Sequence, residues 1–167
     1  TVIVGAGVGA ALGGMRPVID MHFADFMGVA MDELFNQMAK IHFMFGGQKP
    51  VPVVVRAPDG LTNQAAAQHS QSIEAWFLHI PGLEVVIPSN PADAKGLLKS
   101  AIRDDNPVIY FEHKKLFSVK GPVPDEEVLV PIGKAAIAKP GKDITIVSYS
   151  YTMKVVMDTV SMLEKDG

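Results

Sequence analysis

The chain alternates two kinds of apolar pattern. Residues 16–21, 51–56, 84–88 and 107–112 form short runs with little polar alternation and many β-branched side chains, as strands covered on both faces do. Between them lie segments of helical period. In 90–104, Ala94, Leu97, Leu98, Ala101 and Ile102 recur on one face, Asn90 stands at the cap position, Pro91 fits the first helical position and Asp93 suits the positive end. Residues 24–43 predict a longer helix, with Met27, Ala30, Met31, Leu34, Met38 and Ile41 along one side and Gly46-Gly47 ending it. A short helix is predicted over 72–78. Strands alternating with helices imply an α/β fold built on a doubly wound parallel sheet.

After Phe117 the pattern changes. Gly121-Pro122-Val123-Pro124-Asp125-Glu126-Glu127 is polar and Pro-bearing, cannot continue a central strand, and reads as a linker. A strand over 143–148 and a helix over 151–165 are expected next. One strand–helix pair cannot cover its own apolar surface, so residues 137–167 read as the start of a second domain, joined by a linker over 119–136 to a first domain over 1–118. Apolar surface left uncovered in this way predicts self-association.

The amino terminus carries a competing signal. Gly5-Ala6-Gly7-Val8-Gly9-Ala10 fits the G-x-G-x-x-G/A pattern of dinucleotide binding, and Asp20 could end the next strand as the ribose-binding acid. Too few residues separate Gly5 from Asp20 for a crossover helix that spans a sheet. The stretch is therefore expected to be a helix, with Val4, Val8, Ala11 and Leu12 buried and Gly and Ala permitting close packing.

Composition narrows the function classes. The chain has 167 residues, 48% hydrophobic and 20% charged, enough to bury a core. A formal charge of −3 with dispersed Lys and Arg offers no basic stripe for nucleic acid, and no apolar run approaches the roughly 20 residues that span a membrane. With no Cys, disulfides, thiolate catalysis and Cys-ligated metal sites are excluded. No signal peptide is visible at the start, and a cytoplasmic location is expected.

Candidate chemistry concentrates in Ala67-Gln68-His69-Ser70-Gln71, a polar loop beyond the carboxyl end of the 51–56 run. Open α/β sheets bind ligands at such ends. A single His serves packing more often than catalysis. Here Gln68, Ser70 and Gln71 can orient an imidazole, whose ordinary pKa of about 6.5 suits proton exchange at neutral pH. His22, His42, His79 and His113 lack partners at zinc-ligand spacing. Phe23-Ala24-Asp25-Phe26 reads either as a helix start with two core aromatics or as an aromatic face for a planar cofactor ring. Arg103-Asp104-Asp105-Asn106-Pro107 reads as a solvated turn, or as an oxygen-rich helix end that could hold a monovalent cation.

Taken together, Gly9-Ala10-Ala11, Gly14-Met15-Arg16-Pro17-Val18, Phe23-Ala24-Asp25-Phe26, Gly46-Gly47, Gln68-His69-Ser70-Gln71, Pro81-Gly82-Leu83, Asp93-Ala94-Lys95-Gly96-Leu97 and Ala101-Ile102-Arg103-Asp104 occur in that order. The set closely resembles the beta subunit of the thiamin-diphosphate-dependent decarboxylating component of 2-oxo acid (pyruvate or branched-chain) and acetoin dehydrogenase complexes. The resemblance implies a transketolase-like pyrimidine-binding domain followed by the start of a transketolase carboxyl-terminal domain. It also implies a heterotetramer in which an alpha subunit holds magnesium and the diphosphate, and a lipoyl-bearing acyltransferase as a further partner. By the same resemblance Phe26 matches the aromatic that stacks on the cofactor's pyrimidine, and His69 the histidine that assists chemistry and acyl transfer to the lipoyl group. Val53, Ala101, Ile102, Asp104 and Asn106 match positions around a structural potassium in some members.

Two departures accompany the likeness. The family's ylid-generating Glu would fall immediately before Thr1, and no Gly-Asp-Gly motif with a following Asn is present to bind magnesium diphosphate. The sequence is therefore expected to be a fragment of a subunit about twice as long, inactive alone. The alternatives are a fragment of another transketolase-fold enzyme, or a non-catalytic interaction module of that fold.

Overall fold

The computed structural model describes residues 1–166. Gly167, the last residue of the expected second unit, lies outside the described residues. Four parallel strands, β1 (Val18–Asp20), β2 (Val54–Asp59), β3 (Glu84–Val86) and β4 (Val108–His113), form one sheet in the order β1-β2-β4-β3. β2 and β4 pair from Val54↔Val108 through Asp59↔His113, while β1 pairs with β2 and β3 with β4 over three positions each.

Alternation along the strands divides the interior in two. Val55, Ala57, Ile109 and Phe111 face a larger core shared with Val4, Val8, Met27, Leu34, Met38, Ile73 and Phe77. Val54, Val108 and Tyr110 face a smaller one with Val86, Ala101 and, at its margin, Leu97, Leu98 and Ile132. Each large apolar side chain buried in these layers contributes about 1.5–3 kcal/mol against the entropy of ordering it. Tyr110 is fully buried, and its hydroxyl donates to the Ala94 carbonyl at 2.8 Å, so its polar end is not left unmatched. Arg56 reaches both neighbouring strands, at 3.3 Å from Asp20 and 2.7 Å from Glu112; its pairing with Glu112 is the main reason its guanidinium pKa is raised.

Helix α1 (Val2–Leu12) forms where the glycine-rich stretch predicts a helix rather than a nucleotide-binding strand and turn, with Val4, Gly7, Val8 and Ala11 buried. Gly7 permits the close approach of Ile19, whose side chain would have to shift to admit a Cβ there. Residues 24–43 are helical as expected, but the winding changes: a 3-10 stretch (Ala24–Ala30), a π stretch (Glu33–Met38), then α2 (Ala39–Met44). The buried residues explain this. Ala24, Met27 and Ala30 recur every third residue and Ala30, Leu34 and Met38 every fourth, so tighter and then wider winding keeps both sets in the larger core. Helix α3 (Glu74–Leu78) and α4 (Pro91–Arg103) follow the predicted pattern, and Asn90 caps α4 by accepting from the Asp93 N–H at 2.9 Å.

The carboxyl-terminal part departs from expectation. Residues 143–148 form no strand. A strand needs a ladder partner, none lies beside this segment among the described residues, and Ile144, Ile146 and Val147, 92% exposed in the last case, face outward. Helix α5 (Ser150–Asp166) does form and returns to the sheet, where Tyr151 stacks on His113 at 5.0 Å and the Tyr149 hydroxyl donates to Glu74 at 3.2 Å. No helix among the described residues is long and apolar enough to cross a membrane.

Asp59, the last residue of β2, is 2% exposed, with Oδ1 buried and unpaired. Burial, with Glu74 adding to it, pushes its carboxyl from 3.8 up to about 7, against the opposing pull of Lys114. The native state thus holds this proton more tightly than the unfolded chain between those values, and its contribution to stability is present at low pH and lost as pH rises toward about 7. Asp59→Asn is expected to raise the melting temperature more at pH 8 than at pH 5 and to flatten the pH dependence between them, measured by thermal unfolding across that range. Gly82 has φ +99°, and a Cβ there would strike the Ala39 backbone carbonyl. Gly82→Ala is expected to destabilise by about 1–3 kcal/mol from the strained backbone conformation alone, read as a lower urea midpoint at unchanged m.

Candidate active site

The loop that carries His69 is closed at its base. β2 ends at Asp59, and Gly60 then turns with φ +72°, so close to the His113 ring that a Cβ would overlap it. The Gly60 N–H donates to the Gln71 carbonyl at 2.8 Å, bringing the two ends of loop 61–70 together. Within the loop Gln64 and Ala66 take φ of 61° and 54°. Side chains rarely adopt such values, and they recur at functional sites. Ala66 leads directly into a 3-10 turn, Ala67–His69, which sets His69 half-buried against the start of the long helical segment.

There the imidazole meets two aromatic rings edge to face. Its centroid lies 4.7 Å from that of Phe23 and 5.4 Å from that of Phe26, at interplanar angles of 87° and 89°. Phe23 and Phe26 are themselves perpendicular at 6.0 Å. Phe26 keeps 45% of its surface exposed, so the ring supports His69 and still presents apolar area to a ligand. Neither ring joins the core: Phe23 is half-buried against His22, Phe26 and His69, and Phe26 is exposed. Asp25, between them, accepts from the Gln71 N–H at 3.1 Å and from its side-chain amide at 2.9 Å.

A charged residue beside these rings carries no sequence motif. Lys114, just beyond β4, places its ammonium 5.3 Å from the centre of the Phe23 ring. Burial lowers its pKa, while Asp25 and Asp59 oppose that. Burial also lowers the pKa of His113, helped by Lys114 and Lys115. Asp59, Ser72, Glu74, His113 and residues 149–152 line an adjoining cavity of about 200 Å³. Their signal in the sequence is positional: Asp59 ends one central strand and His113 another, at the ligand-binding end of a parallel sheet.

The five positions matched to potassium lie elsewhere, at the carboxyl end of α4. Arg16 donates to the carbonyls of Ile102 at 3.2 Å and Asp104 at 2.8 Å, and pairs with Asp105. Asp104 Oδ1 accepts from the N–H and side-chain amide of Asn106, the Val53 carbonyl accepts from Val108 at 2.9 Å, and the Ala101 carbonyl from Asp104 at 3.3 Å. As arranged, the Val53, Ala101, Ile102 and Asp104 carbonyls and Asp104 Oδ1 each accept at least one hydrogen bond from the chain itself. The helix-end carbonyls face a cation, and it is the Arg16 guanidinium.

The matching relatives agree with this architecture. The chain is 50% identical over 164 residues to the acetoin:2,6-dichlorophenolindophenol oxidoreductase subunit beta of Cupriavidus necator, covering 98% of this chain and 48% of that protein. It is 46% identical over 166 residues to the 2-oxoisovalerate dehydrogenase subunit beta of Bacillus subtilis, covering 99% and 51%. With the mitochondrial pyruvate dehydrogenase E1 component subunit beta of Homo sapiens it shares 44% identity over 167 residues, covering 98% and 46%. The chain thus spans about half the length of the curated relatives it matches. A solved split-gene transketolase, described as an inactive beta4 tetramer, has the same fold, with a TM-score of 0.75 and 24% identity over 98% of this chain and 50% of its own. Residues 1–120, which include the whole sheet, both phenylalanines and the His69 loop, match the transketolase pyrimidine-binding domain, and the chain belongs to that family.

Proposed function

We propose that the chain is the beta-subunit portion of a thiamin-diphosphate-dependent dehydrogenase component that acts on a 2-oxo acid or acetoin and transfers the acyl group to a lipoyl carrier. The observation that carries this reading is the perpendicular Phe26–His69 pair at 5.4 Å, on a loop at the carboxyl end of β2 in a pyrimidine-binding domain. An aromatic ring with an exposed surface fits a planar heterocycle. When bound, the cofactor supplies the carbanion-stabilising centre. Phe26 would hold and orient its aminopyrimidine. His69 has a polar ring at the rim of that surface, and among the described residues it is held by aromatic edges, whereas His42 is tied to the Lys49 carbonyl at 2.8 Å. That leaves its ring nitrogens able to take up a proton and return it during acyl transfer. The magnesium and diphosphate half of the site is assigned to an alpha subunit, and the acyl acceptor to a lipoyl-bearing acyltransferase.

In the full-length subunit assembled with its partner, His69→Ala is expected to lower lipoyl-dependent turnover by roughly 10²- to 10⁴-fold while leaving the melting temperature nearly unchanged. A stability loss with wild-type turnover would instead make His69 a packing residue. Phe26→Ala is expected to weaken thiamin diphosphate binding by about 0.5–1.5 kcal/mol from lost stacking, measured by titration calorimetry on the same assembly.

We also propose that this chain alone self-associates, because Val2, Val29, Phe43, Met44, Leu78 and Val147 are all largely exposed. Light scattering at tens of micromolar is expected to give a mass above that of the 17.9 kDa monomer.

A further inference from the structure

Asp25 has an apparent role as the acidic residue of a helix's first turn, yet its hydrogen bonds go elsewhere. No side chain caps this helix start, and Asp25 Oδ1 accepts instead from both N–H groups of Gln71, 46 residues away, at 3.1 Å and 2.9 Å. Gln71 is held a third time where its carbonyl accepts from Gly60 at 2.8 Å. It is therefore a fixed post, two residues beyond His69. Phe23 and Phe26, the residues two before and one after Asp25, are the two rings that contact the His69 imidazole.

The geometry points to Asp25 as a positioning residue that sets where the His69 imidazole sits, by pinning the exit of its loop to the segment that carries both aromatic rings. The loop's own backbone does not supply this order: it contains two residues at positive φ and no helix or strand beyond the three-residue turn at 67–69. Closure at Gly60 fixes the neck of the loop against β2 alone. Among the described residues, the hydrogen bonds that tie it to the segment of Phe23 and Phe26, and so to the surface Phe26 offers a ligand, are those of Asp25. The second carboxylate oxygen, Oδ2, is buried without a hydrogen-bond partner. The ammonium of Lys114, whose charged form Asp25 favours, is the nearby positive charge that makes that burial tolerable.

The functional consequence rests on His69 acting in acyl transfer, and the test separates the two claims. In the ¹⁵N-histidine-labelled chain, the His69 ring resonances, assigned with His69→Gln, report its contact with the two phenylalanine rings. Asp25→Ala is expected to move them toward the values of an exposed histidine while those of His42 and His79 stay in place. Asp25→Asn keeps an oxygen that can accept both bonds and is expected to leave them near wild type. Gln71→Met, which removes one donor from the other side, is expected to produce an intermediate shift and serves if Asp25→Ala does not fold. In the full-length assembled enzyme, Asp25→Ala is expected to lower kcat by roughly tenfold to a hundredfold with KM for the donor substrate little changed, as misplacement of a catalytic group does, and Asp25→Asn to restore most of it. His69 resonances unmoved in Asp25→Ala, or moved equally in Asp25→Asn, overturn the inference. Resonances that move without any change in turnover support the positioning role and overturn the catalytic assignment of His69.

Discussion

The pairing of β2 with β4 is the constraint on which the rest of the molecule depends. Its six registered positions run through the centre of the sheet, buried on both faces from Val54 to Ala57 and from Val108 to Phe111 except at Arg56. Both helical layers take their position from it. Because the strands are parallel, the pairing also brings Asp59-Gly60 and His113-Lys114 to the same end of the sheet, although more than fifty residues separate them in the chain. The site is built there.

That end concentrates charge in a poorly solvated place. Among the described residues, Asp25, Asp59 and Glu74 each have a buried oxygen without a hydrogen-bond partner, and the Lys114 ammonium nitrogen is likewise buried and unpartnered. Isolated charges of this kind are costly. Two responses follow: burial raises the Asp59 carboxyl pKa to about 7, and the Lys114 ammonium is set against Asp25, Asp59 and the Phe23 ring. At the opposite end of α4 the balance differs, because Arg16, Ile102, Asp104 and Asp105 satisfy one another directly. The contrast follows from exposure: the Arg16 and Asp105 side chains remain well solvated, whereas Asp59 does not.

The carboxyl-terminal segment lies beyond the matched residues 1–120, and hydrogen-bond geometry makes it intelligible. Residues 143–148 have the composition of a strand but, among the described residues, no ladder to join, and α5 packs its first turn on β4 through Tyr151 against His113, with Tyr149 just before it bonded to Glu74 of α3, while Val155, Met162 and Leu163 stay exposed. Local propensity suffices for a helix, whose hydrogen bonds close within the segment. It does not suffice for a strand, whose bonds need another part of the chain.

The same distinction separates what the sequence by itself determined from what the tertiary structure decided. Apolar period, the Asn90 cap and the ordered motifs were enough to foresee the parallel α/β architecture, α1 in place of a nucleotide-binding turn, α4 from its first residue, and the loop around His69. Each of these is written in neighbouring residues. The change of winding along 24–44, the edge-to-face contacts of His69 with Phe23 and Phe26, the bonds from Asp25 to Gln71, the arrival of Lys114 beside Phe23 and the use of Arg16 at the end of α4 were not foreseen. Apart from the winding, which follows the surface the segment packs against, these contacts join residues 43 or more positions apart, and only the order in which the strands pair decides which of them meet.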